Sequence, residues 1–259
     1  MAVKSENRSD VSVVVVSNDG YSDVWPGFFE LLFRFWPDRP YPLYLISNHC
    51  TFPAEQVIPL RVGDDLSWSQ TLARGLEGVP SRHVLLMLED YFLTARADTA
   101  YVCRLHDAMV ENDAVYLRLL AAPKPERPHA KLADIGFIEK GAAYRTSLQV
   151  AFWDRLVLLD LLRKDESAWE FEVKGSRRSD ESSGPFLSVS GGVPAIPYRH
   201  AVRRGKWLPE AIRYFTPLGI TFNTSTRPVA SELNLWWQAS LVRRWLGRVW
   251  KMAIRPRMN

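Results

Sequence analysis

Residues 11–20, with the sequence VSVVVVSNDG, decide the class of fold. The run VSVVVV is β-branched and apolar at almost every position, which is typical of a buried strand. Residues 17–20 end the strand with Ser, Asn, Asp and Gly, which are turn-forming residue types. Polar side chains therefore stand at the carboxyl end of a buried strand, where open α/β sheets bind their ligands.

Strands and helices alternate from this run towards residue 120. The pattern predicts strands over residues 11–16, 41–46, 57–62, 83–88 and 115–120, with helices that begin after residue 22, near residue 64 and near residue 98. Such alternation predicts an α/β fold with a Rossmann-type, mainly parallel sheet and helices on both faces.

The second half of the chain has a less regular pattern. Residues 123–142 are rich in Pro and charge, which favours a long loop, whereas the apolar residues from 147 to 164 predict a helix. We expect a mobile stretch rich in Ser and Gly over residues 175–192 and a strand over residues 194–198.

Composition excludes several classes of protein. The chain has 259 residues, of which 47% are hydrophobic and 24% charged, so it is neither disordered nor fibrous. Its two cysteines, Cys50 and Cys103, are too few for a disulfide scaffold or a four-cysteine zinc site. We expect no signal peptide and no membrane span, because the first ten residues are polar and no apolar run is long enough.

Charge is concentrated at the C-terminal end. From residue 227 onwards there are seven Lys or Arg residues and one Glu, a net charge of +6, so the rest of the chain carries −2 of the total of +4. Residues 226–259 predict a basic, tryptophan-rich amphipathic helix, which favours an anionic membrane surface and a peripheral position on its cytoplasmic face. The alternative is a helix packed on the domain or on a second subunit. We expect no nucleic-acid partner, because the body is acidic and has no RNA-binding motif.

Acidic residues follow the predicted strand over residues 83–88. Glu89 and Asp90 could hold a divalent cation, Mn²⁺ or Mg²⁺, and so neutralise a diphosphate. The alternative is a solvated strand end that caps the next segment.

Three motifs together resemble the nucleotide-sugar-binding half of GT-A glycosyltransferases, especially those of family 2. These are VSVVVVSNDG, the helix DLSWSQTL, and LMLEDYFL in place of an Asp-x-Asp-like motif, in which Tyr91 stands where a second Asp is common. The likeness covers residues 11–120. With WEFE at residues 169–172, the chain also looks like proteins of bacterial surface-polysaccharide loci.

The resemblance implies a catalytic domain over residues 11–225, after a disordered N-terminus (1–10) and before the C-terminal helix. Residues 11–120 would bind the nucleotide and residues 121–225 the acceptor. The implied activity moves a sugar from a nucleotide-sugar donor to a saccharide or lipid-linked saccharide. Two alternatives remain open: another nucleotide-dependent transferase, and a non-catalytic, membrane-docked scaffold protein.

The same resemblance assigns donor contacts at the strand ends. It implies that the nucleoside is bound by residues at the end of the first strand and by one acid further on, namely Ser17, Asn18, Asp19, and Asp64 or Asp65, with Asp90 on the donor side as well. The alternative for residues 18–20 is a simple turn.

The acceptor side has two candidate bases. Family 2 enzymes carry an acidic base at a helix start, which here implies Glu172 or Glu170. Ser167 and Glu170 have capping-box spacing, which explains Glu170 structurally and favours Glu172. Trp169 could stack on the acceptor sugar, although the motif is also compatible with a charged face beside a core tryptophan.

Basic residues could bind the donor diphosphate. Arg177 and Arg178 lie in the stretch expected to be mobile and could close over it. His200 and Lys206 follow the strand expected at residues 194–198, in a basic segment. A solvated loop and a surface histidine are the alternatives.

Overall fold

The computed structural model describes residues 10–64 and 66–231. The chain forms two compact units, Met1–Arg199 and His200–Asn259. The predicted disordered N-terminus lies outside the described residues except for Asp10.

Unit 1 begins with the predicted alternation of strands and helices. Its strands are β1 (Val11–Val16), β2 (Leu43–Ser47), β3 (Val57–Arg61), β4 (His83–Leu88), β5 (Tyr91–Leu93), β6 (Tyr116–Arg118), β7 (Arg127–Pro128), β8 (Ile135–Phe137), β9 (Ala151–Asp154) and β10 (Phe186–Val189), and β11 (Tyr198–His200) crosses into unit 2. Its helices are α1 (Trp25–Phe35), α2 (Trp68–Glu77), α3 (Thr99–Glu111), α4 (Arg155–Leu161), α5 (Ala168–Glu170) and α6 (Ser176–Arg178).

Nine of these strands form one sheet in the order β3-β2-β1-β4-β9-β6-β10-β8-β7. Strands β1 to β4 are parallel; Val13, for example, lies beside Leu43 on one side and Leu85 on the other. Strand β9 runs antiparallel between β4 and β6, and β8 runs antiparallel beside β10. The predicted mainly parallel sheet is thus confirmed, and it contains strands from both predicted halves of the catalytic domain.

Helical segments cover both faces of the sheet. Successive residues of β9 point to opposite faces: the ring of Phe152 lies 5.2 Å from that of His106 in α3, whereas the ring of Trp153 lies 6.2 Å from that of Phe171, just after α5. The six residues of β1 are all buried. The prediction of helices on both faces is therefore confirmed.

The predicted helix over residues 147–164 is wrong in its first half. Residues Ala151–Asp154 form β9, and the helix is restricted to Arg155–Leu161. A strand with partners on both edges and a core on both faces is apolar at successive positions, so its sequence is indistinguishable from a buried helix.

The stretch over residues 175–192 is largely regular, so the expectation of a mobile loop is wrong. A helical run continues from α5 through a π-helical turn (Phe171–Gly175), α6 and a 3-10 turn (Ser179–Glu181). The buried strand β10 follows it, beside β6. Strands β7 and β8 lie within the expected long loop, and the strand expected at 194–198 lies at Tyr198–His200.

Unit 2 contains a hairpin and a short helix. Strands β12 (Val202–Arg203) and β13 (Lys206–Trp207) are joined by Arg204 and Gly205, whose φ angles of 50° and 72° are left-handed. Helix α7 (Pro209–Phe215) follows. Residues 232–259, which contain most of the predicted C-terminal helix, lie outside the described residues. Within the described ranges, no helix is long and apolar enough to cross a membrane.

Candidate active site

The centre of the sheet contains a topological switch point. From β1 the chain proceeds outward to β2 and β3, and then returns to place β4 on the other side of β1. Ligands of open α/β sheets bind beyond the carboxyl ends of the strands at such a point. Residues 17–19 follow β1 and residues 89–90 follow β4, so the predicted donor residues lie at this edge.

Ser17 and Asn18 have structural partners. The indole Nε1 of Trp25 donates a hydrogen bond of 2.8 Å to Ser17 Oγ, which ties the end of β1 to α1. Asn18 Oδ1 accepts a 2.9 Å bond from Gly20 N and so caps a 3-10 turn. The turn considered as an alternative is present, and the nucleoside contacts of these residues stay a prediction.

Asp19 ties the ends of β1 and β2 together. Its carboxylate accepts hydrogen bonds from the backbone N–H groups of Asn48, His49 and Cys50 at 3.0–3.2 Å, and Asn48 Oδ1 accepts a 2.9 Å bond from Asp19 N. Burial raises the pKa of Asp19, but the three N–H donors outweigh it and leave the pKa below its ordinary value. Asp19 is therefore ionised, and its hydrogen bonds join the end of β1 to the end of β2.

Asp64 and Asp65 are the other acidic residues predicted to contact the nucleoside. The side chain of Asp64 is 97% exposed, and its Oδ1 lies 3.4 Å from His49 Nε2. Asp65 lies outside the described residues. A nucleoside contact by either residue stays a prediction.

Glu89 and Asp90 are both buried, each with 8% of its surface exposed. Tyr91, where the resemblance leads one to look for an acid, turns its side chain into the protein and donates a 2.9 Å hydrogen bond to the carbonyl oxygen of Leu148. Tyr91 thus anchors the acidic pair to the segment before β9.

The ring of Tyr91 stacks on the ring of Tyr198, with a centroid distance of 4.4 Å. Burial raises the pKa of Tyr91 well above its ordinary value, and nearby negative charge from Asp90, Glu172 and Glu89 raises it further. The candidate base Glu172 and the candidate donor acids, about 80 residues apart in sequence, therefore share one neighbourhood.

Glu172 lies in the π-helical turn and is held by residues before β9. Its Oε1 accepts hydrogen bonds from Leu148 N at 2.8 Å and from Ser147 Oγ at 3.2 Å. Turns of this kind widen a helix locally and are frequent at functional sites. From this turn the Glu172 side chain contacts Leu148, the residue that Tyr91 also contacts.

Glu170, two residues earlier, has a structural role. Its carboxylate and Ser167 form the predicted capping box, which is confirmed, and Lys174 Nζ lies 2.9 Å from Glu170 Oε1. The lysine, followed by the bonds from Ser167, lowers the pKa of Glu170 to about 2. With such a pKa, Glu170 is a weak base at neutral pH. Trp169 beside it is 57% exposed.

Arg178 lies in a helix and contacts the protein interior. Its guanidinium pairs with both carboxylate oxygens of Glu166, at 2.8 and 2.6 Å, and donates to the carbonyl oxygen of Leu161. Arg177 is exposed in the same helix, and His200 and Lys206 are exposed in unit 2. Donor contacts by these four basic residues stay predictions.

The carboxylates of Glu89 and Asp90 are suited to a cation that is also coordinated by a bound ligand. No group of three or more His, Cys, Asp or Glu side chains that could hold a metal occurs among the described residues. Glu89 and Asp90 supply two carboxylates, and Mg²⁺ is commonly held by one or two carboxylates together with substrate phosphates. The acidic pair therefore fits such an ion.

Sequence reasoning missed the tyrosines and the buried segment around Ser147. Tyr91, Tyr116 and Tyr198 all lie near Glu172, whose charge raises the pKa of each after the larger effect of burial. Each of these tyrosines is the first residue of a strand, and a tyrosine at a buried position is a usable signal because a buried phenol requires a hydrogen-bond partner.

Comparison with known proteins gives similarity of fold only. Two structures of S. aureus TarS 1–349, with UDP and with UDP-GlcNAc, are each 11% identical, with TM-scores of 0.49 and 0.48; the matches cover 73% and 75% of this chain. The chain spans 59% of the length of each. The 2-C-methyl-D-erythritol 4-phosphate cytidylyltransferase of Thermus thermophilus is 13% identical with a TM-score of 0.47, over 82% of this chain and 100% of that one.

No protein-family model matches the chain, and no curated protein sequence matches it. Structural similarities with these identities and TM-scores carry no argument about activity.

Proposed function

We propose that this chain is a glycosyltransferase that moves a sugar from a nucleotide-sugar donor to a saccharide or lipid-linked saccharide acceptor of bacterial surface polysaccharide synthesis. The observation that carries the proposal is the link through Leu148: its carbonyl oxygen accepts from Tyr91, which directly follows Glu89 and Asp90, and its N–H donates to Glu172. Sugar transfer requires charge compensation for a leaving diphosphate and a base for the incoming hydroxyl. Glu89 and Asp90 would serve the first requirement by holding a cation, and Glu172 would serve the second.

On the donor side, Glu89 and Asp90 would hold a divalent cation together with the diphosphate oxygens. A bound cation supplies Lewis-acid stabilisation of the leaving diphosphate. Both carboxylates are buried beyond the carboxyl end of β4, at the edge of the sheet where open α/β sheets bind their ligands. Arg177 is proposed as an additional diphosphate contact.

On the acceptor side, Glu172 accepts the proton of the acceptor hydroxyl. The bonds from Leu148 N and Ser147 Oγ fix the orientation of its carboxylate, which is the condition for efficient proton transfer. The exposed indole of Trp169 offers an apolar face to the acceptor sugar. A membrane-bound acceptor would suit the proposed docking of residues 226–259 to the inner membrane surface.

The first experiment measures the melting temperature with a panel of nucleotide sugars, with Mg²⁺ or Mn²⁺ and with chelator. A donor at ~100 times its Kd stabilises the protein by ~2.7 kcal/mol. If no nucleotide sugar changes the melting temperature at millimolar concentration, the proposal is refuted. If chelator changes nothing, the cation role of Glu89 and Asp90 is refuted.

The second experiment compares Glu172→Gln with the nearby Glu170→Gln. Glutamine keeps an oxygen that can accept from Leu148 N, so Glu172→Gln should fold, bind donor and lose turnover by ~10²–10⁴. Near-normal turnover in Glu172→Gln would remove the base assignment. Loss in Glu170→Gln alone would move it to that residue.

A further inference from the structure

The segment between Tyr144 and β9 contains buried residues that accept hydrogen bonds from two tyrosines. Ser147 and Leu148 are each 3% exposed. The carbonyl oxygen of Ser147 accepts a 3.0 Å hydrogen bond from the hydroxyl of Tyr116, and that of Leu148 accepts the bond from Tyr91. Two buried phenols from different strands thus hold two successive peptide groups.

Only one of these two peptide groups donates a hydrogen bond to Glu172. The carbonyl of Ser147 and the N–H of Leu148 belong to one planar peptide unit. Tyr116, that peptide and Glu172 therefore form a continuous chain, with the phenol donating to the carbonyl at 3.0 Å and the N–H donating to the carboxylate at 2.8 Å. The carbonyl that Tyr91 binds belongs to the next peptide, whose N–H is that of Gln149 and donates to Ser147 Oγ.

Hydrogen bonds in such a chain polarise one another, so a donor on the carbonyl strengthens the N–H as a donor at the other end. Tyr116 is suited to this, because it is fully buried against Trp153 and Phe186. Burial raises the pKa of its phenol, and Glu172 also raises it, against a lowering by Arg118. The phenol therefore remains a neutral donor.

We infer that Tyr116 is a positioning residue, which holds and polarises the peptide between Ser147 and Leu148 so that its N–H fixes the carboxylate of Glu172 for proton transfer. This inference rests on the proposed function of Glu172. Tyr116 acts entirely through the peptide and contacts no reacting atom.

The test compares Tyr116→Phe with Tyr91→Phe in the full chain. Each variant removes one buried hydroxyl that donates to a backbone carbonyl, so a loss of stability should be common to both. The first readout is the Leu148 amide proton in protein labelled with [¹⁵N]leucine, assigned by its absence in Leu148→Ile. The amide of a strong bond to a carboxylate lies downfield, and Glu172→Gln defines its position without the charge.

In Tyr116→Phe we expect the Leu148 amide to move upfield towards its position in Glu172→Gln, whereas in Tyr91→Phe it should stay close to its wild-type position. With a donor that the nucleotide-sugar panel identifies, kcat should fall about tenfold in Tyr116→Phe with the KM for donor unchanged, because the base is misplaced and the donor site is not. Equal amide shifts in the two variants, or a kcat in Tyr116→Phe equal to that of the wild-type protein, would overturn the inference.

Two further results keep the interpretation unambiguous. If Tyr116→Phe does not fold, Ser147→Ala removes the second bond to the same carboxylate oxygen, and an unchanged kcat in that variant would overturn positioning by this segment. If the amide responds as expected but no nucleotide sugar is turned over by the wild-type protein, the proposed function fails, and with it the role of Tyr116 in proton transfer.

Discussion

Acidification should destabilise the fold through a buried pair of histidines. His83 at the start of β4 and His106 in α3 are 4% and 3% exposed, and His83 Nδ1 lies 3.0 Å from His106 Nε2. One imidazole must donate and the other accept, so at least one is neutral. Burial, and then the neighbouring His83, lowers the pKa of His106 to about 4. Burial, and then Arg82, lowers the pKa of His83, while Asp10 and Asp154 act in the opposite direction.

The sign and size of the effect follow from linkage. An unfolded histidine has a pKa of ~6.5, so between about pH 6.5 and pH 4 the unfolded chain takes up a proton that folded His106 refuses. The free energy of unfolding therefore falls as the pH falls through this window and is unaffected by His106 above it. At 1.36 kcal/mol per pH unit the full loss is ~3 kcal/mol, of which ~2 kcal/mol is reached by pH 5.

Urea unfolding at pH 7, 6 and 5, followed by tryptophan fluorescence, measures this loss. In His106→Leu the decrease between pH 7 and pH 5 should be smaller than in the wild-type protein by ~2 kcal/mol, because the carboxylates common to both chains cancel. Phe152→Leu weakens the packing against His106 without removing a titratable group. Its free energy of unfolding should keep the full dependence on pH. Equal decreases in His106→Leu and wild type would refute the reasoning.

Three further outcomes are expected. Gly75→Ala should cost ~1–3 kcal/mol in urea unfolding, because its Cβ would meet Ile46 Cγ1 at 2.5 Å and Cδ1 at 2.2 Å; Ile46→Val should restore part of the loss, and a neutral Gly75→Ala would contradict the packing of α2 on β2. Glu166→Gln should lower the free energy of unfolding by ~2 kcal/mol, because Arg178 is left without its carboxylate. The double variant Glu166→Gln/Arg178→Met should lose less stability than the sum of the two single variants, and strict additivity would argue against a coupled pair. Deletion of residues 232–259 should abolish sedimentation with anionic vesicles, and added salt should weaken binding of the full chain; a full chain that ignores such vesicles would reject the membrane proposal.

Local sequence pattern was enough to predict the first half of the fold. Strand β1 is β-branched at five of its six positions, and α2 is preceded by Ser67, whose side chain accepts from Gln70 N and so caps the helix. Each of these signals lies within a few residues of the element that it specifies. The carboxyl-end position of Glu89 and Asp90 follows from the same local reading once the strands are known to be parallel.

Tertiary structure alone decided how the second half joins the sheet. Strand β9 lies between β4 and β6, so the partners of Phe152 are Leu85 and Leu117, 67 and 35 residues away. A strand that is buried on both faces and paired on both edges has no alternation to mark it. Its sequence therefore predicts burial without predicting the type of element.

The candidate site shows the same division. The resemblance to family 2 glycosyltransferases implied Glu172 or Glu170 as the base, and the capping-box spacing of Ser167 and Glu170 favoured Glu172. The contacts that hold Glu172, however, connect residues 24 or more positions apart: Leu148 with Glu172, Tyr116 with Ser147, and Tyr91 with Leu148. Such contacts exist only after the chain has folded, since they satisfy backbone groups that burial removes from water. Residue types alone therefore indicate which chemistry is available, and the packing of distant segments decides which carboxylate is oriented to perform it.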